Sequence, residues 1–346
     1  MSRGPSQSPE PQPRTDPHPN RPAAHRHPPR GGKYVGAVGK KSRKNRAAAD
    51  ANVPEGMSRR QAKLAARAAE RERLAGNPRP FAGLDAEADL VALREFAPSA
   101  TVPAEVAGAK RPIHLCTVLP GGIAALTRAT AEGGAAYVAM QTQSRSNDAA
   151  ADLARALEWA RTADDGQQLD NAVDGTDGGA LGDVLKGIKL DELAVHQDFE
   201  WWIPAGVERT QLVQQNLAAA NDTIMPSHRL DLDVPGAVWW IDPGERAHIR
   251  WIRREDERPL LDALARVHAA DRLSMGEGTK FAGVFRTDGV LVPVWDLDNT
   301  VDHGSWGSVI ADAAARIEKA LASDAPLTAD ERKSRDTIVS RQVTIR

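Results

Sequence analysis

Residues 280–301 read KFAGVFRTDGVLVPVWDLDNTV, and the Asp288-Gly289 pair inside them decides how the carboxyl half is built. Asp-Gly between two apolar runs marks a two-residue β-hairpin, because both turn positions take positive φ and few other residue pairs tolerate that. The run VLVPVWDL is therefore the return arm of an antiparallel pair. Pro293 has no N–H to give to a ladder, which predicts an edge strand or a bulge for this arm. A second hairpin is predicted upstream, where AVWWID and AHIRWI flank Pro243-Gly244. Between the hairpins, Leu260, Leu261, Leu264 and Val267 recur at helical spacing from Asp256 to Ala270. Val309, Ala313, Ile317 and Leu321 mark a further helix from Ser305 to Leu321. With a helix from Gln211 to Asn221 and a strand near Glu200 to Ile203, residues 184–322 are expected to form an α+β half.

Towards the amino terminus, residues 81–163 alternate between element types. A helix from Asp85 to Phe96, ended by Pro98, precedes a strand from Ile113 to Leu119, a helix from Gly122 to Thr130, a strand from Ala136 to Gln143 and a helix from Asp148 to Arg161. That alternation predicts an α/β half. Residues 164–183 (DDGQQLDNAVDGTDGGALGD) are rich in Gly and Asp and are expected to be a surface linker. They do not form a calcium loop, since Ala172 stands at its third position and Leu181 where the closing Glu belongs. Residues 323–346 read as a charged tail. The expected fold class is α+β: antiparallel hairpins plus an α/β half, packed with helices and preceded by a disordered basic tail.

A net charge of −2 conceals an asymmetry. Residues 1–80 carry +12 and the remainder −14. Nine of the 23 prolines precede residue 30, so residues 1–56 are expected to be disordered. Lys40, Lys41, Arg43, Lys44 and Arg46 form a dense cationic block. A helix capped by Ser58 is predicted within residues 57–80, and Arg59, Lys63, Arg67 and Arg71 fall four apart along one ridge of it, with Arg60 adjacent. Like charges at that spacing repel, which an anionic partner would relieve; Glu70, Glu72 and solvent are the alternative. The tail is thus the candidate site for RNA, ribosome or DNA, and the acidic body for a protein partner. The single Cys116 excludes a disulfide framework and fits a reducing cytoplasm. No apolar run reaches membrane-span length, so no membrane partner is expected.

Val292 to Val301 also spells the D-x-D-x-T of an aspartate-nucleophile phosphatase, with Asp296 as nucleophile, Asp298 as acid/base and Thr300 beside a Mg²⁺ site. That reading needs the first strand of a doubly wound sheet and a long following chain supplying a lysine and further acids. Here the strand returns from a hairpin, and only 46 residues follow Thr300. A strand end running into a turn accounts for the same letters. Met275 to Lys280 (MGEGTK) resembles a phosphate-cradling loop but is followed by a strand where a helix is required. His114, His196, His228, His248, His268 and His303 show no metal-ligand spacing, His196 with Asp198 being the nearest approach. No cofactor motif is present, and Cys116 lies in an apolar strand where it is expected to be inert. Trp201-Trp202 and Trp239-Trp240 are read as strand pairs with one ring inward and one outward. Helices of the same chain would cover the outward rings; otherwise Trp202, Trp240 or Trp251 marks a binding face, with Arg246, Arg250, Arg253 and Arg254 interleaved.

The block GKKSRKNR, the phrase NPRPFAGL followed by EADLVALREFAPSA, the helix LLDALARVHAA and the stretch GEGTKFAGVFRTDGVLVPVWDL together resemble a family of actinobacterial proteins of unknown function, the DUF 5926 group. The resemblance runs from about Val38 to Leu321 and implies no catalytic residue, cofactor or partner. Relatives begin near the GKKSR block, so Val38 is expected to be an alternative start and residues 1–37 an overrun. The function expected is that of a non-catalytic cytoplasmic accessory protein, with a tail for nucleic acid or ribosome and a body for a protein. The alternatives are a Mg²⁺-dependent phosphohydrolase at Asp296, Asp298 and Thr300, or a structural adaptor that binds no nucleic acid.

Overall fold

The computed structural model describes residues 60, 61, 64, 67, 76–173, 179–341, 343 and 344. The chain divides into two units, Met1–Arg67 and Ala68–Arg346. In the first unit the described residues Arg60, Gln61, Leu64 and Arg67 are helical and exposed, as expected within the basic segment. Lys40, Lys41, Arg43, Lys44, Arg46, Arg59, Lys63 and Arg71 lie outside the described residues.

The second unit begins with helix α1 (Glu87–Glu95), whose C-cap is Phe96. Its first sheet contains β1 (Ala100–Val106), β2 (Ile113–Cys116), β3 (Ala125–Thr127), β4 (Ala136–Ala139), β5 (Gln168–Leu169), β6 (Leu185–Ile188) and β7 (Ala194–Val195). The order is β5-β3-β4-β2-β1-β6, with β7 also on β1; β2 and β4 run parallel and the other pairs antiparallel. Helix α2 (Ala149–Thr162), N-capped by the Asp148 carboxylate, packs on β4 and β3.

Three expectations fail in this half. The helix expected from Gly122 to Thr130 is instead a 3₁₀ turn at Pro120–Gly122, strand β3 and a second 3₁₀ turn at Thr130–Glu132. Gly121 and Gly122 take φ of 71° and 66°, which breaks a helix at its start. Ala125 and Thr127 then face the core with Leu126 between them, a period of two that alanine's helix propensity masks. The expected linker at 164–183 contains β5, which adds an edge to the sheet on β3, and the short helix α3 (Leu181–Val184). It is held by Ala124 and Thr127 N–H groups donating to Leu169 and Gln167 carbonyls, a backbone pairing that leaves no side-chain pattern. Residues 174–178 lie outside the described set. The expected strand at Glu200–Ile203 is a 3₁₀ turn at Glu200–Trp202.

Helix α4 (Gln211–Asn221) leads to the second sheet: β8 (Ser227–Leu230), β9 (Ala237–Ile241), β10 (Ala247–Ile252), β11 (Lys280–Thr287), β12 (Val290–Leu297) and β13 (Val343–Thr344). Its order is β13-β11-β12-β10-β9-β8, antiparallel except for β13 on β11. Both predicted hairpins form. Asp288 and Gly289 have φ of 43° and 75°, the paired positive angles their sequence called for. Pro293 is placed differently from the expectation, because β12 lies between β10 and β11 and is not an edge. The β10–β12 ladder runs from Ala247↔Leu297 to Arg250↔Val294, stops opposite Pro293 and resumes at Arg253↔Leu291. A central strand accepts this proline by leaving out the hydrogen bond it cannot make.

Helices α5 (Glu257–Ala269), α6 (Gly307–Leu321) and α7 (Ala329–Ser340) follow. Helix α7 corrects the reading of 323–346 as a charged tail. Thr328 and Glu331 form a reciprocal capping box, and Ile338 is buried where α7 packs on α5. The helix has little apolar surface, so periodicity does not announce it, although T-x-x-E does.

The second sheet is covered on both faces. Trp240, Ile249, Trp251, Leu291, Trp295 and Leu297 pack with α5, α6 and α7. Ala237, Trp239, Ile241, Ile252, Val290 and Val292 join α1, α2 and the first sheet in one core. Trp239 and Trp240 thus point to opposite faces as predicted, and both are buried under elements of the same chain.

Candidate functional site

The D-x-D-x-T letters form a structural junction. Asp296, at the end of β12, lies beside His248 of β10, with Oδ1 3.0 Å from the ring Nδ1. Asp298 is past the strand end, where its Oδ1 accepts from the Thr300 N–H at 2.9 Å and the Thr300 hydroxyl at 2.7 Å. These two bonds hold the Asp298 carboxyl below the usual range. Asn299 donates through Nδ2 to the Gly244 carbonyl at 3.0 Å, tying the segment to the first hairpin turn. Lys280 is the register partner of Asp296 on β11 and is exposed. Among the described residues no three His, Cys, Asp or Glu side chains converge as metal ligands do. Among the described residues the further acids of a phosphatase are therefore not gathered around Asp296, Asp298 and Thr300.

Asp296 instead lines an open groove of about 300 Å³ with His248, Arg250, Phe285, Val294 and Arg341. Alternation builds it. His248, Arg250 and Ile252 share one face of β10, while Val292, Val294 and Asp296 share the same face of β12. At one end of that face, Ile252, Val292 and Phe285 are sealed in the core with α1. At the other end the apolar cover stops, and His248, Arg250 and Asp296 stand there partly exposed. A bulge in β11 between Phe281 and Gly283 turns Phe281 to the helix-covered face and leaves Gly283 on the groove.

Arg250 is the unusual group. Its guanidinium carbon lies 5.3 Å from the centre of the Phe96 ring and 6.0 Å from that of Phe285. Phe96 packs edge-on against both Phe285 and Trp239, so the two rings are fixed from behind. Burial lowers the pKa of Arg250. Among the described residues no carboxylate lies within ion-pair distance of it. Arg253, three residues on, shows the ordinary solution: it is 1% exposed and carries Glu255 and, at 2.5 Å, Glu318. Of the arginines weighed beside the aromatic strands, Arg250 meets rings at this groove and the buried Arg253 lies 4.9 Å from the Trp251 ring.

The remaining candidates are locally engaged. His196 shares a 2.9 Å hydrogen bond with the Thr101 hydroxyl and stacks on Trp201, and burial lowers its pKa. Trp201 and Trp202 donate to Ser99 Oγ and the Val118 carbonyl, which fastens the 3₁₀ turn to the first sheet. The Gly-rich stretch Met275–Lys280 is a turn stapled by Thr279, whose hydroxyl accepts from Met275 N–H at 2.9 Å and donates to the Gly276 carbonyl. Cys116 is buried, and desolvation pushes its thiol pKa far up.

Sequence reasoning singled out Asp296 but missed the groove. The available signal was polar residues at alternate positions in AHIRWI, a pattern equally characteristic of a solvent face. Phe96 and Arg341 arrive from segments whose proximity is set only by packing.

Two sheets sharing a core, with helices packed outside, define an α+β protein, and among its described residues no helix is long and apolar enough to cross a membrane. The chain belongs to the Family of unknown function (DUF5926), whose model matches residues 80–346. No curated protein and no solved structure matches it.

Proposed function

We propose that the chain is a non-catalytic cytoplasmic accessory protein, in which the basic leader binds RNA, ribosome or DNA and the acidic body binds a protein partner. The observation that carries this reading is the charge division, +12 over residues 1–80 against −14 over the rest. A body of that sign repels polyanions, so affinity for them falls to the leader. The geometry of Asp296 and Asp298 supports the non-catalytic part, since both carboxylates are engaged by neighbours in the same chain.

The test is a salt titration of the full chain on duplex and single-stranded nucleic acid. For a duplex, the slope of log affinity against log salt is about −0.9 per phosphate neutralised. Replacing Lys40, Lys41, Arg43, Lys44 and Arg46 with Gln is expected to flatten that slope. Binding that ignores salt, or survives the substitutions unchanged, rejects the reading. A pull-down with and without nuclease then separates partners held by nucleic acid from those held by the body.

A further inference from the structure

We propose that the groove over β10, β11 and β12 is a binding site for a small organic carboxylate with an apolar body, and that Arg250 receives the carboxylate. The inference is independent of the leader and of the two-part reading above.

A half-buried guanidinium held against two aromatic rings without a carboxylate partner is incompletely satisfied, since the rings only partly offset the lost hydration. Among the described residues no protein group supplies that counter-ion, while the side chain faces an open groove. A planar carboxylate matches the guanidinium fork with two parallel hydrogen bonds. The groove wall beside the fork is made of Phe285 and Val294, which suits a hydrocarbon or aryl body better than a fully hydrated inorganic anion. Asp296 also lines the groove and opposes an anion. Its carboxylate is turned onto His248 Nδ1 rather than onto Arg250, and Arg341 adds a second positive charge at the lining. Two guanidiniums, Arg250 and Arg341, thus stand against one carboxylate at the lining.

The experiment is isothermal titration of the full chain with benzoate, hexanoate, acetate and inorganic phosphate. Benzoate or hexanoate is expected to bind saturably at one site, more tightly than acetate or phosphate. Arg250→Met is expected to weaken it by at least about tenfold, the value of a charged hydrogen-bonded pair. Arg250→Lys, which keeps the charge and loses the fork, is expected to weaken it by a smaller factor. Asp296→Asn is expected to tighten binding roughly two- to fivefold by removing the opposing charge. Because Arg250→Met removes a half-buried cation that has no carboxylate partner, its thermal midpoint is expected not to fall, which separates loss of the site from loss of the fold. No saturable binding up to about 10 mM, a concentration that detects even millimolar affinity, overturns the proposal. So does binding retained in folded Arg250→Met, phosphate binding as tightly as benzoate, or loss of binding in Asp296→Asn.

Discussion

Replacing Arg229 with Met removes the cation of a buried ion pair between α1 and β8. Asp89, on α1, is 5% exposed, and its carboxylate accepts from Arg229 Nε of β8 at 2.6 Å. Burial raises the Asp89 pKa, and Arg229 opposes the rise. Removing Arg229 leaves a buried carboxylate without its cation, a change that costs about 3–5 kcal/mol. Asp89→Asn is milder, about 1–2 kcal/mol, because Arg229 retains an exposed partner in Asp231 at 3.6 Å. Adding Asp89→Asn to Arg229→Met is expected to recover at least half of the first loss, since an amide carries no charge to strand. The pH dependence has a definite sign. A carboxyl whose folded pKa is raised contributes stability that is present below its unfolded pKa and lost as pH rises through the folded one. Arg229→Met raises the folded pKa of Asp89 further, so its deficit relative to wild type is expected to shrink from about pH 7.5 to about pH 5. Urea unfolding of the full chain at those two pH values measures it. A deficit below about 1 kcal/mol, or one equal at both pH values, refutes the reasoning.

Other changes follow from local geometry. Gly236 has φ of +85°, and a Cβ there would lie 2.0 Å from the Ile252 carbonyl oxygen, so Gly236→Ala is expected to cost about 2–4 kcal/mol, read as a lowered urea midpoint. Cys116, buried with its thiol pKa pushed up, is expected to resist a thiol reagent in native buffer and to react once in urea; prompt native labelling would contradict its placement. Thr328→Ala removes the capping box of α7 and is expected to cost about 0.5–2 kcal/mol, while Lys333→Ala, on the same helix, serves as the comparison.

How much of this could be read from sequence depended on where each element gets its stability. The hairpins were legible because Asp288-Gly289 and Pro243-Gly244 sit between apolar runs, and the turn chemistry is local. Helix α5 was legible for a similar reason, with Leu260, Leu261, Leu264 and Val267 on one stripe. Strands β3 and β5 were not, because two or three residues stabilised by neighbours distant in sequence carry no periodicity of their own. Helix α7 hid behind charged composition, although Thr328 and Glu331 spelled its start. Pro293 misled in the other direction: its missing N–H excludes a ladder bond at one position, and the sheet met that by interrupting one ladder rather than by moving the strand to an edge.

The groove was the least legible feature, and Asp296 shows why. In the sequence its neighbours are Asp298 and Thr300, which suggest a nucleophile. In the fold its cross-strand neighbour is His248, and Arg250 shares the same face two residues further along β10. The two settings predict opposite results for one substitution. A nucleophilic Asp296 makes Asp296→Asn abolish a Mg²⁺-dependent phosphatase activity, whereas a groove centred on Arg250 makes it strengthen anion binding. Both outcomes can be measured on a single preparation, with a generic phosphate ester in one cuvette and benzoate in the calorimeter. Turnover lost in Asp296→Asn would restore the motif reading despite its antiparallel strand. Tighter benzoate binding without turnover would assign the aspartate to tuning the charge of the groove.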